Sequence, residues 1–209
     1  KTSLLMKKPK LTIIIPAYNE INTIQNIIDK IFSIKIYKQI ILVDDNSNDG
    51  TREIIVKNKD KIGETIFHDK NMGKGAAIKS AQKYIIGKYT IIQDADLEYD
   101  PSDYFLLINE AEKNKFKAVY GSRVLNKNMH TNIKNFSHQI RIWGNIFLTF
   151  LSNKINNQEL TDAHTCYKLF DSNLFKSINL NENDFSFCPE ITTKLSNKKI
   201  TIKEVPINY

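Results

Sequence analysis

Cysteine is scarce in this chain of 209 residues: Cys166 and Cys188 are the only two. They form no Cys-x-x-Cys pair, so neither a zinc site nor a disulfide framework is indicated, and two reduced, structural thiols fit a cytosolic compartment. Long hydrophobic runs are missing as well. No stretch of about 18 apolar residues occurs, so no segment is expected to span a bilayer. Lys1 to Lys10 is charged without a long apolar segment and is not expected to act as a signal peptide. No block of consecutive basic residues favours a nucleic-acid partner, although the net charge is +7. Internal repeats and low-complexity tracts are absent, and so is a convincing linker. Neither a Gly-x-x-x-x-Gly-Lys-Ser/Thr phosphate loop nor a full Gly-x-Gly-x-x-Gly dinucleotide fingerprint is found.

What remains is ordinary globular material, with 41% hydrophobic and 25% charged residues. The length suits one α/β domain with a sizeable core. Residues 1–10 read as an N-terminal extension, with Lys1 to Leu5 a remnant foreign to the fold, and residues 11–209 as the domain. The basic balance fits either a solvated, Lys-rich surface or a face that meets anionic lipid or a phosphate substrate.

The first half alternates strands and helices. Strands are predicted at Leu11–Ile15, Ile40–Val43, Thr65–His68, Tyr89–Ile92 and Lys117–Tyr120. Ile24, Ile27, Ile28, Ile31 and Phe32 form a helical stripe, with Asn22 and Gln25 resembling a capping box. Asp100-Pro101-Ser102-Asp103 is a helix start, and Tyr104, Leu107, Ile108 and Ala111 supply its buried face. This alternation predicts a mostly parallel sheet covered on both sides. The second half is less regular. It offers a polar loop at Asn126–Asn135, an unusually apolar helix at Phe136–Ile155, strands at Thr165–Phe170 and Lys199–Val205, and a helix near Glu190–Leu195.

Four polar clusters follow predicted strands: Pro16-Ala17-Tyr18-Asn19-Glu20, Asp44 to Thr51, Asn71-Met72-Gly73-Lys74-Gly75, and Asp94-Ala95-Asp96 behind Gln93. Each alone has a dull explanation as a turn, a cap or a solvated group. In a parallel sheet all four project from one edge, where open α/β sheets bind ligands. Carboxylates spaced i, i+2 at a strand end suit Mg²⁺ or Mn²⁺, ions often held by one or two carboxylates plus a substrate's phosphates. An Asp at a strand end can accept from a nucleobase N–H or a ribose hydroxyl, and Tyr18 can pack on a base. Gly73-Lys74-Gly75 opening a helix permits close approach to a diphosphate, with Lys74 adding charge.

Taken in order, Ile15-Pro16-Ala17-Tyr18-Asn19-Glu20, Val43-Asp44-Asp45-Asn46-Ser47, Asp49-Gly50-Thr51, Gly73-Lys74-Gly75, Asp94-Ala95-Asp96 and Gly121-Ser122-Arg123 resemble the family 2 glycosyltransferases. Within that family they resemble the polyprenyl-phosphate branch, a match extended by Thr161 to Lys168, Phe187 to Ile191 and Glu204 to Tyr209. The resemblance implies a GT-A nucleotide-diphospho-sugar transferase fold, a single Rossmann-like α/β domain with a mostly parallel mixed sheet. It implies inverting transfer of a hexose from a nucleotide sugar of the UDP-glucose or GDP-mannose type, with Mg²⁺ or Mn²⁺ as cofactor. Nucleoside contacts then fall at Pro16, Ala17, Tyr18, Glu20 and Asp45. Asp94 and Asp96 match the metal-and-diphosphate motif, with Asp96 the direct ligand, and Gln93 a neighbouring donor contact. Arg123 matches the arginine that meets the acceptor phosphate, and Arg141 is a candidate second contact. Asp162 would orient the sugar or act as a base. Thr165-Cys166-Tyr167-Lys168 departs from the Gly-Phe-Arg pattern of the mannose synthases in this branch, so the sugar and its nucleotide stay open.

The acceptor implied is a polyprenyl or dolichyl phosphate at the cytoplasmic membrane face. The helix Phe136–Ile155 is read either as core, through Trp143, Phe147, Phe150 and Leu151, or as an interfacial helix flanked by Lys134, Arg141 and Lys154. Relatives of this branch continue into transmembrane helices, whereas this chain ends at Tyr209, which leaves a soluble-domain form, a truncated chain or a peripheral enzyme. His138 reads as structural or solvated. Rival readings are transfer to a saccharide or protein hydroxyl with Asp162 as base, an Asp-x-Asp phosphatase, a pyrophosphorylase-type enzyme and a non-catalytic basic module. Glu98, where such a phosphatase wants Thr or Val, counts against the second.

Overall fold

The computed structural model describes residues 8–125 and 136–208, with side chains of 136–143 excepted. Its centre is β1 (Leu11–Ala17), a run of branched residues in which Ile13, Ile14 and Ile15 are all fully buried. Burial on both faces is the signature of a parallel strand covered by helices on both sides. Around it lie β2 (Lys38–Asp44), β3 (Glu64–Phe67), β4 (Tyr89–Ile92), β5 (Ala118–Ser122), β6 (Lys168–Asp171) and β7 (Ile202–Pro206), in the order β3-β2-β1-β4-β6-β5-β7. Only β6 is reversed among these strands, pairing antiparallel with both β4 and β5. Ile13 and Ile15 face a core layer with α1 (Ile24–Ser33), α2 (Thr51–Lys57) and α4 (Tyr104–Asn114). Ile14 faces the other layer, with α3 (Lys74–Gln82), α6 (Ser172–Lys176) and α7 (Phe187–Asn197). The long helix α5 (Phe136–Asn156) packs on α7.

This is the mostly parallel, mixed sheet expected, with local differences. The Asn22–Gln25 capping box does not form. Thr23 occupies the N-cap of α1, its hydroxyl bonded to the Glu20 carboxylate at 2.8 Å, while Gln25 donates to Asp29 one turn on. Phe32, placed on the apolar stripe of α1, is exposed. Asp100 caps a short 3₁₀ turn, Pro101–Asp103, that leads into α4. The strand expected from Thr165 starts only at Lys168. Thr165 Oγ1 takes the Tyr167 N–H at 3.2 Å, and that local turn competes with the ladder. The strand expected from Lys199 starts at Ile202, because Lys199 adopts a φ of 55° outside extended space.

The topology positions the site. Strands β1, β2, β4 and β5 end at one edge, and β1 lies between β2 and β4, the point where strand order reverses direction. Because β6 is reversed, its N-terminal end lies at that same edge. The segment from Thr161 to Tyr167 is thereby delivered to the strand ends that carry the polar clusters.

Candidate active site

At this edge lies a cleft of about 270 Å³, bounded by Pro16, Ala17, Tyr18, Glu20, Asp45, Asn71, Gly73, Lys74, Asp94, Asp96 and Phe185. Each of the four clusters thus contributes to the cleft, and of the residues expected to hold the nucleotide sugar or metal only Gln93 is not among those that bound it. Gln93 is fully buried beneath the cleft. Its amide oxygen accepts from the Tyr104 hydroxyl at 2.6 Å and the Tyr167 hydroxyl at 2.7 Å, and its NH₂ donates to the Asp94 and Tyr99 carbonyls. Gln93, expected as a donor contact, is in this structure a core crosslink that ties β4 to α4 and to the turn before β6.

The loop after β1 is held by the loop after β2. The Asn19 N–H donates to Ser47 Oγ, the Glu20 N–H to Thr51 Oγ1 and the Ile21 N–H to Asp49 Oδ2. Asp49 also accepts from the Thr51 N–H and hydroxyl, so Asp49-Gly50-Thr51 forms a turn that leads into α2. Asp44 is spoken for by Arg52 at 2.6 Å. Asp45 receives His68 Nδ1 at 2.6 Å and the N–H groups of Met72 and Gly73 at 2.9 and 2.7 Å. His68 is itself bonded to Ser80 at 2.9 Å, so a rigid relay fixes the Asp45 carboxylate at the cleft floor.

The Gly73-Lys74-Gly75 opening of α3 differs from expectation. A Cβ on Gly73 would stand 2.3 Å from the Asn183 carbonyl oxygen, and one on Gly75 would stand 2.5 Å from the Glu182 carbonyl oxygen. The Ala76 N–H donates to that same Asn183 oxygen at 3.0 Å. What the glycines admit is the backbone of residues 182–184, which satisfies one of the helix's leading N–H groups. Lys74 does face the cleft. Its ammonium is ion-paired with Asp94 and lies 3.1 Å from Cys166 Sγ. Burial disfavours its charge, but the Asp94 carboxylate outweighs that and raises its pKa.

The two carboxylates of Asp94-Ala95-Asp96 are thus unequal, since Lys74 neutralises only Asp94. Asp96 accepts from the Glu98 N–H at 3.0 Å across a turn in which Leu97 takes a φ of 67°, an uncommon conformation for a residue with a side chain. Partial burial, with Asp94, Glu98 and Glu20 nearby and opposed by the Glu98 N–H, raises the Asp96 pKa to about 6. A carboxylate so crowded by negative charge fits a divalent cation. No group of three His, Cys, Asp or Glu side chains able to hold a metal exists among the described residues. A donor's phosphates would have to complete the coordination.

At the end of β5 on the same sheet edge, outside the residues that bound the cleft, Arg123 and Asp162 form one unit. Arg123 Nε and Nη2 donate to the two Asp162 oxygens at 2.7 and 2.9 Å, and the Arg123 N–H adds a bond at 3.2 Å. Asn145 on α5 contributes a further donor at 3.0 Å. Burial alone would raise the Asp162 pKa, but Arg123 and Asn145 outweigh it and hold the carboxyl below its usual range. The backbone around Asp162 is pinned by Glu204, which accepts from the Thr161 and Asp162 N–H groups at 2.7 and 2.9 Å. Lys168, fully buried, ties the same loop through the Ala163 and Thr165 carbonyls and lies over the Tyr120 ring. Arg141, His138 and Trp143 lie outside the described side chains, and Lys134 outside the described residues.

The sequence reading missed Asn71, Phe185, Glu98, His68 and Asn145. Asn71 stood inside a quoted cluster without a role, and Glu98 was weighed only against a phosphatase. Phe185, His68 and Asn145 come from segments with no motif of their own.

The family model described as "Glycosyl transferase family 2" matches residues 12–178. The chain belongs to glycosyl transferase family 2. It is a glycosyltransferase, and the cleft lies where that family model's residues reach the sheet edge. It is 26% identical to dolichyl-phosphate beta-glucosyltransferase ALG5D of Trichomonas vaginalis, over 98% of this chain and 68% of the relative. It is 28% identical to the UDP-N-acetylglucosamine–dolichyl-phosphate N-acetylglucosaminyltransferase of Methanococcus voltae, over 93% of this chain and 83% of the relative. It spans about half, 48%, of the low-salt glycan biosynthesis hexosyltransferase Agl6 of Haloferax volcanii. Glucosyl-3-phosphoglycerate synthase of Mycobacterium tuberculosis, solved with Mn²⁺, UDP and phosphoglyceric acid, superposes with a TM-score of 0.73 at 14% identity, over 95% of this chain and 68% of that one. At that identity the likeness shows the fold, which is GT-A.

Proposed function

We propose that this glycosyltransferase moves a hexose from a nucleotide diphosphate sugar to a polyprenyl phosphate of the dolichyl kind, with inversion, at a membrane surface. The observation that carries this reading is the saturated Asp162 carboxylate. It accepts from four donors, which fills about four lone-pair sites, and its pKa is lowered. A group so occupied is a poor general base and a good clamp for Arg123. A hydroxyl acceptor would need a base. A phosphate monoester does not, because its second pKa is near 6 and its oxygen is already anionic. An arginine held by its carboxylate, with its side chain 22% exposed, suits such a phosphate.

The reaction then breaks the bond between the anomeric carbon and the nucleotide's terminal phosphate oxygen. A bond from that carbon to the lipid phosphate oxygen forms, and the nucleoside diphosphate leaves. Pro16, Ala17, Tyr18, Glu20 and Asp45 form the nucleoside side of the cleft. Asp96 would hold Mg²⁺ or Mn²⁺, which supplies charge neutralisation for the leaving diphosphate. Lys74 adds a positive charge on the same side. The names of the Trichomonas and Methanococcus relatives, both dolichyl-phosphate transferases, support the acceptor class.

The membrane part rests on α5. Ile146, Phe147, Leu148, Phe150, Leu151 and Ile155 are exposed, while Thr149, Ser152 and Asn156 form the buried face, so these apolar side chains in the described half lie outside the core. Lys154 lies over the Phe150 ring, a basic group beside an apolar face. No helix among the described residues is long and apolar enough to cross a membrane. Asn145 places this helix against the Asp162–Arg123 unit, so a lipid surface under α5 would bring a phosphate headgroup to Arg123.

A thermal-shift panel of UDP-, GDP- and dTDP-sugars, with and without Mn²⁺, tests the donor half. At least one nucleotide sugar should raise the melting midpoint, more so with Mn²⁺. If none does, the donor site is misassigned.

A further inference from the structure

The cleft has an aromatic wall that no motif announces. Phe185 is 76% exposed, yet the chain on either side of it is fixed. Before it, the Asn181 and Glu182 N–H groups donate to the Glu190 carboxylate at 2.6 and 3.1 Å, and Lys79 donates to the Asn181 carbonyl at 3.0 Å. Residues 182–184 lie directly against Gly73 and Gly75, where no side chain fits. After it, the Ser186 N–H donates to Asp184 Oδ1 at 2.7 Å and the Cys188 N–H to the Phe185 carbonyl at 3.2 Å, so α7 begins at once. A single exposed ring is ordinary on a protein surface, but this one is held on anchored backbone and lines the cleft itself.

Its position says what. The Phe185 ring centroid is 5.7 Å from Lys74 Nζ, which in turn contacts Asp94 and Cys166. Cys166 belongs to the segment that carries Asp162, the partner of Arg123. Phe185 therefore stands on the diphosphate side of the cleft, toward the acceptor end, and Tyr18 stands on the β1 side with the nucleoside residues. A hexose leaving a diphosphate for an acceptor phosphate at Arg123 must pass between these two ends. We infer that Phe185 is the platform on which the apolar C–H face of the donor's hexose rests, and so a positioning and specificity residue for transfer. This rests on the donor-site reading above.

The test compares binding of the nucleotide with binding of its sugar. Dissociation constants are measured by calorimetry for UDP and UDP-glucose, or for GDP and GDP-mannose if the wild type binds that pair, all with Mn²⁺. Wild type must bind the nucleotide before Phe185 is judged, which separates failure of the donor site from failure of this inference. Phe185→Ala and Phe185→Leu should bind the nucleotide sugar about tenfold more weakly, the upper size of one aromatic contact, and leave the bare nucleotide unchanged. Phe185→Trp should restore the sugar's contribution. Equal weakening of both ligands would put the ring on the nucleoside and overturn the inference. So would no weakening of either.

Discussion

Replacing Asp162 by asparagine separates a clamp from a base. An asparagine keeps one acceptor oxygen and turns an NH₂ toward a guanidinium that has no acceptor, so one of the two parallel bonds is lost and N–H faces N–H. Breaking a buried charge pair from one side costs about 3–5 kcal/mol. Arg123 is 22% exposed, so water recovers part of that and about 2–3 kcal/mol is expected. At roughly 2–4 °C per kcal/mol for a domain of this size, the melting midpoint should fall by about 4–12 °C. The effect carries a pH signature. Arg123 and its neighbours hold the Asp162 carboxyl below its usual range, so the folded state releases this proton more readily than the unfolded chain does. The stability it contributes is fully present above the unfolded value of about 3.9 and is lost as pH falls through the lower folded value. Asp162→Asn should therefore lose less stability than wild type on acidification through that window, read by circular dichroism melts. In turnover, the KM for polyprenyl phosphate should rise with the shape of the pH profile unchanged, and Arg123→Lys should reproduce the KM change. A variant with wild-type melting and acceptor KM but no turnover would refute the clamp and restore Asp162 as base.

Three other perturbations probe separate parts of the account. Asp96→Asn should abolish calorimetric Mn²⁺ binding in the presence of nucleotide. In wild type that binding should weaken as pH falls through about 6, where Asp96 protonates. The raised Asp96 pKa also means that its charge destabilises the fold above about 6, so Asp96→Asn without metal should melt higher than wild type at pH 7 and equal to it below the unfolded value. Gly75→Ala puts a Cβ 2.5 Å from the Glu182 carbonyl oxygen and should cost about 1–3 kcal/mol in urea unfolding. The double change Phe147→Ser with Phe150→Ser removes two exposed rings, so melting should hardly move while co-sedimentation with anionic vesicles falls severalfold.

The strands were legible because their physics is local. Leu11 to Ile15 and Tyr89 to Ile92 are branched, apolar runs that end at polar clusters, and a parallel sheet puts those ends on one edge. The helix α4 was equally plain from its Pro101 start and its buried Tyr104, Leu107, Ile108 and Ala111. What escaped was decided by partners distant in sequence. Gln93 read as a donor contact, yet two tyrosine hydroxyls from α4 and from the turn before β6 claim its oxygen. Gly73 and Gly75 read as a phosphate approach, yet residues about 108 positions away fill the space. Arg123 reads as an acceptor-phosphate contact and Asp162 as a sugar-orienting residue or base, each on its own, and only the reversal of β6 shows that they are one ion pair. For α5, an apolar sequence suits core or interface alike, and it takes the structure to show that Phe147, Phe150 and Leu151 are exposed and not core.

The most direct measurement is transfer itself. The purified chain, supplied with Mn²⁺, the nucleotide sugar that stabilises it and a short-chain polyprenyl phosphate in detergent, is assayed for nucleoside diphosphate release and for a lipid-linked sugar by mass spectrometry. The account predicts equal amounts of both products, dependence on the lipid's phosphate, and no transfer to the dephosphorylated polyprenol. Transfer to the alcohol or to a free saccharide, with none to the lipid phosphate, would contradict it.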